Sequence, residues 1–453
     1  MPLGTNALRT AAPAGPAIAA LSIALWLGAT VPAAAVPAYA VQTGQACDAC
    51  HVGGFGPQLT PFGREFKLEG YTMRAGDTFT PPVSAMAMAS YVHTNSDQPP
   101  PAPHYAPNDN TTLDQASLFI AGGFGDHFGA FTQWTYDGIG RAASWDNLDI
   151  RAVTHTTLDG SDLLLGVVLN NSPTVQDAWN TTSAWGYPFT FSDLIPAPEA
   201  ATMIDGAFAQ TSLGMSAYAW WNSSVYAEAG LYWTPGRNFL NAMGAYDSGN
   251  TTLKNAAPYF RVAYQKDYGD RNFEVGAFAM FPNVYPAGDK SAGTTDNYQD
   301  VGIDASYQFM GDSTGIYQID SRYTHEHQDL QASRILGAAS GNDDLNDFRI
   351  DGSYYWRNEI GGSAGAFSTW GSKDALLYAG NRTLAPDSSG FIFQVDYTPF
   401  GGPDAPLDGR FNLRVGLQYI AYTKFDGASS NFDGADTSAS DNNTVRLFTW
   451  VAL

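Results

Sequence analysis

The chain reads as an all-β membrane protein, an antiparallel outer-membrane β-barrel of about sixteen strands behind a small N-terminal segment of different character. Three observations predict this class. Apolar and polar residues alternate over stretches of about ten residues, tight and long connections alternate between those stretches, and the chain opens with an export signal. Composition agrees: 47 Gly, 24 Tyr, 26 Phe and 11 Trp with only 15% charged residues favour strands over helices. The net charge of −22 repels nucleic acid and attracts cations, and acidic loops that simply keep the chain soluble are the other reading.

Residues 1–40 read as a signal peptide. Arg9 is the only charge before Asp48, and Ala17 to Gly28 is an apolar run too short and too early for a membrane helix. Small residues allow cleavage after Ala35 or after Ala40. Both cysteines follow in Cys47-Asp48-Ala49-Cys50-His51, the C-x-x-C-H spacing of c-type haem attachment. Cys47 and Cys50 would carry the thioethers and His51 would be the proximal iron ligand. A closed zinc site needs four ligands, and no further cysteine exists. A thioredoxin-like dithiol is the other reading of the pair.

Residues 41–80 form the haem segment, which is too short to build a globular core of its own. Within it Met73 is the first candidate for the sixth iron ligand. Met86 and Met88, on one face of the first strand, and His93, on the other face, compete with it. Arg64 and Lys67 are candidate partners of the haem propionates.

Residues 81–453 carry the barrel. In 411–424, Phe411, Leu413, Val415, Leu417 and Tyr419 point one way, and Asn412, Arg414, Gln418 and Lys424 the other. Residues 391–398 and 348–357 repeat the pattern. The strands are predicted at 83–94, 113–122, 127–138, 144–156, 161–170, 203–220, 224–234, 257–266, 271–281, 298–310, 313–326, 346–356, 360–370, 389–398, 409–424 and 443–453. Tight pairs such as Gly125-Asp126, Asp159-Gly160 and Gly269-Asp270 join alternate strands, while links such as 171–202 and 425–442 are long and polar. Tight periplasmic turns, long outer loops and an even strand number place both termini in the periplasm. Leu453 stands where such barrels often end in an aromatic residue. His325 and His327 share one face near an outer loop and read as surface residues. A barrel of this size leaves a lumen, and the haem segment is expected inside it or against its periplasmic mouth.

The stretch Val36 to Tyr71 resembles the N-terminus of the outer-membrane cytochrome-porin fusions of iron-oxidising bacteria, in which one c-type haem segment precedes a porin barrel. The matching positions are Pro37, Gln42, Thr43, Gly44, the haem motif, Pro57, Leu59, Gly63, Arg64, Phe66 and Lys67; Val41 departs from the basic residue common there. The resemblance implies an electron-transfer protein. One covalent haem c would take electrons from extracellular Fe(II) and pass them to a periplasmic carrier such as a c-type cytochrome, with outer-membrane lipid around the barrel. Acidic outer-loop residues, among them Asp426, Asp433, Asp436 and Asp441, would concentrate Fe(II) by their field. Outward electron export and a porin with a structural haem are the rival functions.

Overall fold

The structure is a computed structural model that describes residues 37–76, 82–99, 104–182, 186–311, 315–406 and 410–453. Residues 1–36 of the expected signal peptide, including the first cleavage position, lie outside the described residues. Sixteen long strands form the barrel: β1 Val83–Thr94, β2 Asn110–Gly123, β3 Phe128–Asp137, β4 Ala142–Leu158, β5 Ser161–Asn170, β6 Leu213–Trp221, β7 Val225–Trp233, β8 Ala257–Asp267, β9 Arg271–Met280, β10 Asp296–Phe309, β11 Gly315–Asp329, β12 Asn342–Trp356, β13 Ile360–Gly371, β14 Ser388–Tyr397, β15 Asn412–Lys424 and β16 Thr444–Ala452. Each pairs antiparallel with the next, and β16 returns to β1 in register from Met86↔Ala452 to Thr94↔Thr444, so the sheet closes. Closure satisfies every edge strand, as a lipid surround requires. Two short strands in long loops, Thr252–Leu253 and Asn283–Tyr285, pair with each other at one rim.

Alternation decides which face meets what. Leu413, Val415, Leu417 and Tyr419 face outward on β15 while Asn412, Arg414 and Gln418 face the lumen, in the phase the sequence predicts. The exposed band is aliphatic at mid-height, with Val262, Ile303, Ile319, Ile350, Val395 and Leu417. Aromatic residues flank it. Tyr268, Phe273, Tyr317, Trp356 and Tyr397 lie toward the tight turns, and Tyr91, Trp134, Tyr136, Trp370 and Tyr419 toward the long loops. Two aromatic girdles around an apolar belt are the exterior of an outer-membrane barrel.

The connection rhythm follows the expected order with two corrections. The predicted strand 203–220 begins only at Leu213. Residues 203–212 instead end a long loop, 171–212, that folds into the barrel: Ile204 and Phe208 pack against Tyr232, Tyr259 and Phe278, and residues 171–182 are buried. The tight-turn rim is also interrupted once, by the longer link between β14 and β15. The N-terminal segment fills the lumen at that rim. It comprises helix α1 (Pro37–Thr43), the single turn α2 (Cys47–Cys50), a 3₁₀ turn (Val52–Gly54) and α3 (Pro61–Leu68).

Candidate functional site

One turn of helix sets the thiols. Cys47 and Cys50 are three apart and therefore share a face of α2, and the His51 amide closes the turn on the Cys47 carbonyl at 2.9 Å. The chain then folds back on itself: Val52 N–H donates to Gln58 O (3.0 Å), Thr60 N–H to Cys50 O (2.9 Å) and the Thr60 hydroxyl to Ala49 O (2.6 Å). Two glycines are needed for this. Gly53 has φ +73°, and a Cβ there would stand 2.3 Å from the Tyr355 ring; at Gly63 it would stand 2.2 Å from the Cys50 carbonyl. Thr60 caps α3 through the Gly63 amide, with Pro61 opening the helix.

The barrel wall holds this loop at the tight-turn rim. Arg414 donates to Gly53 O (2.9 Å) and Phe55 O (2.8 Å), and Asn412 donates to Gly54 O (2.8 Å). Asn358, in the β12–β13 turn, bonds the Gly53 amide and donates to His51 O (3.3 Å); Asp48 N–H donates to Gly401 O (3.0 Å). None of Arg414, Asn412 and Asn358 is marked by any local motif.

Cys47, Cys50 and His51 all line one cavity of about 710 Å³ between the segment and the wall of β1 to β4 and β16. Its lower part is apolar and aromatic, with Phe55, Met86, Phe119, Phe131 and Trp450; it runs on to Asp137, Ile139 and Asp193 near the long-loop end. That volume lies within the range of about 300–1,000 Å³ typical of cofactor pockets. The His51 Nδ1 is enclosed, and burial, partly offset by a main-chain hydrogen bond at Gly56, lowers the imidazole pKa to about 4, which keeps the ring in the neutral, metal-ligating form. The two cysteines are not bridged. Burial raises both thiols, Cys50 up to about 12, the reverse of the lowered pKa of a reactive dithiol. Two unbridged thiols on one helical face, a neutral enclosed imidazole and an apolar cavity fit a covalently held haem.

The other sequence-predicted residues have different surroundings. Arg64 is buried and donates to Gln265 (3.2 Å), Gln308 (2.8 Å) and Asn272 (2.5 Å) on the opposite wall. Lys67 borders the cavity, but its ammonium donates to Val175 O (2.7 Å) and Asp177 O (3.0 Å) of the inward loop and lies 3.8 Å from Asp149. The geometry thus gives both side chains the work of anchoring the segment. Met73 is half-buried and does not border the cavity; Met86 and Met88 do. His93 faces outward and meets Asp109 at 2.8 Å. His325 and His327 also face outward, beside Asp344. In the last loop Asp433 accepts from Ala435, Thr437 and its hydroxyl, Asp441 caps the turn at Ser438, and Asp426 accepts from the Glu199 amide, so these carboxylates organise loop structure.

No family model and no curated protein matches the chain. Solved structures similar to it include the outer membrane channel DcaP of Acinetobacter baumannii (12% identity, 82% of this chain and 96% of that one, TM-score 0.46). The anion-selective porin from Comamonas acidovorans (12%, 82% and 98%, 0.43) and OmpT of Vibrio cholerae (9%, 83% and 99%, 0.42) are also similar. Strand pairing, closure and the apolar belt themselves define the class: a porin-like outer-membrane barrel of sixteen strands, here with its own N-terminal segment folded into the lumen.

Proposed function

We propose that this chain is an outer-membrane conduit for electrons from extracellular Fe(II) to a periplasmic carrier, and that Cys47, Cys50 and His51 would hold the one haem c it needs. The observation that carries the reading is the position of the C-x-x-C-H turn. Its main chain is bound to the tight-turn rim through Asn358 and Gly401, while its side chains open on a cavity that extends toward the long-loop mouth. The haem supplies a one-electron couple whose potential the surrounding protein sets. What the chain supplies is enclosure, a neutral imidazole and a field. Asp137, Asp146 and Asp193 border the cavity without an Arg or Lys partner among the described residues, which favours entry of a divalent cation over an anion. Meanwhile α3 and the inward loop fill the lumen beside it, which supports an electron path over a solute pore.

Retention of Tyr39 in the mature chain belongs to the same reading. Its ring stacks on Tyr71 (5.3 Å between centroids) and its hydroxyl donates to Ala130 O at 2.8 Å, so cleavage after Ala35 preserves these contacts and cleavage after Ala40 removes them.

Stopped-flow mixing of the purified ferric protein with Fe(II) tests the donor. Reduction of the haem is expected, and failure at every accessible pH removes Fe(II) as donor. Planar-bilayer recording separates the passive porin, which conducts ions steadily, from the occluded conduit.

A further inference from the structure

Resting on the reading of Cys47 and Cys50 as haem attachment sites, we propose that Met86, on the barrel wall, supplies the sixth ligand to the haem iron. Ligation needs a lone pair that is aimed into the same cavity as His51 and not already engaged. Strand β1 places Ser84, Met86, Met88 and Ser90 on its lumenal face by simple alternation, and this puts both thioethers on the cavity. They are not equivalent. Met88 is 1% exposed, and its sulfur receives Thr190 Oγ1 at 3.0 Å and Arg446 Nη2 at 3.1 Å, which occupies both lone pairs. Met86 is half-buried, and among the described residues its sulfur receives a single donor, Trp450 Nε1 at 3.1 Å, so one lone pair is left.

Trp450 also ties Met86 to the haem turn. Its ring centroid lies 4.5 Å from that of Phe55, four residues beyond His51, so one indole separates the thioether from the loop that carries the proximal imidazole. Two competing donors on the cavity are committed elsewhere, the Lys67 ammonium to two carbonyls and the Tyr39 hydroxyl to Ala130 O. Met86 sits at the barrel seam, paired with Ser117 on β2 and Ala452 on β16, which fixes its main chain in the rigid wall. An iron–sulfur bond there would join the N-terminal segment to the barrel through the cofactor, and would raise the reduction potential.

The test uses full-length protein, with covalent haem scored by haem staining and ligation scored by the methionine-to-ferric-iron charge-transfer band. Wild type is expected to show the band. Met86→Leu should keep covalent haem, lose the band and drop in potential, whereas Met73→Leu and Met88→Leu should keep all three properties. Met86→His should restore a six-coordinate low-spin spectrum without the band. A band that survives in Met86→Leu, or that vanishes in Met73→Leu, overturns the assignment, as does fully haem-loaded wild type without the band. A wild-type chain that takes up no covalent haem sinks the underlying reading instead.

Discussion

Along β8 to β12 the lumen is filled. Arg261 lies among Asp177 (3.3 Å), Glu274 (3.3 Å) and Asp304 (2.7 Å), and Arg322 between Asp205 (3.0 Å) and Asp347 (2.8 Å), so wall and inward loop are joined by enclosed ion pairs. Along β1 to β4 and β16 the wall presents Met86, Phe119, Phe131 and Trp450, and a cavity remains. The difference follows from what the N-terminal segment offers each side. Too short to have a core of its own, it extends Arg64 and Lys67 to polar partners on the filled side and turns Cys47, Cys50 and His51 to the open one. A lumen can thus be filled on one side and still keep one open compartment on the other.

The largest effect that would sharpen this contrast is on the open side. Cys50→Ala is expected to abolish normal thioether attachment, and an unchanged c-type absorption spectrum would show that the turn has another purpose. On the filled side, Arg261→Ala strands three carboxylates in an enclosed site and should cost about 3–5 kcal/mol in barrel stability. Arg271→Ala is the control: that side chain is exposed, 3.8 Å from Asp270, and its loss should cost no more than about 1 kcal/mol. Unfolding in detergent compares the two, and equal losses would break the comparison.

A smaller effect concerns the entrance. Burial, then the charges of Asp137 and Asp114, raise the pKa of Asp193 above the ordinary 3.8. As pH falls, this group therefore loses its charge before a free aspartate would, and the cation-attracting field weakens at a pH above 3.8. The second-order rate with Fe(II) should fall by roughly threefold to tenfold through that window, and Asp193→Asn should remove this component of the pH profile. A profile identical in wild type and variant would remove Asp193 from the entry path. Smallest of all in energetic terms, amino-terminal sequencing of the mature chain should begin at Val36; a start at Val41 would mean that the packing of Tyr39 is absent from the working protein.

Strand count and register phase were legible in the sequence because each has a local period, and the C-x-x-C-H turn stands out by its spacing alone. Residues 203–212 misled for a physical reason: Ile204 and Phe208 are apolar because they are covered inside the lumen, and apolar residues within a loop look like the start of a strand. The rest of the site was hidden by distance along the chain. Arg414 and Asn412 meet the haem turn from about 360 residues away. Alternation shows that they face inward but not what they face. The same limit governs the methionines. Met73 is near His51 in sequence, but Met86 shares its cavity, because the wall and not the connecting chain brings these side chains to one space.

On the proposed function, electrons and not iron cross this barrel. The most direct measurement places the haem-loaded protein in vesicles that contain a ferric c-type cytochrome and an iron chelator, with Fe(II) added outside. The account predicts reduction of the trapped cytochrome while the chelator stays uncoloured. A coloured chelator, or an oxidised cytochrome despite full haem loading of correctly oriented protein, would contradict it.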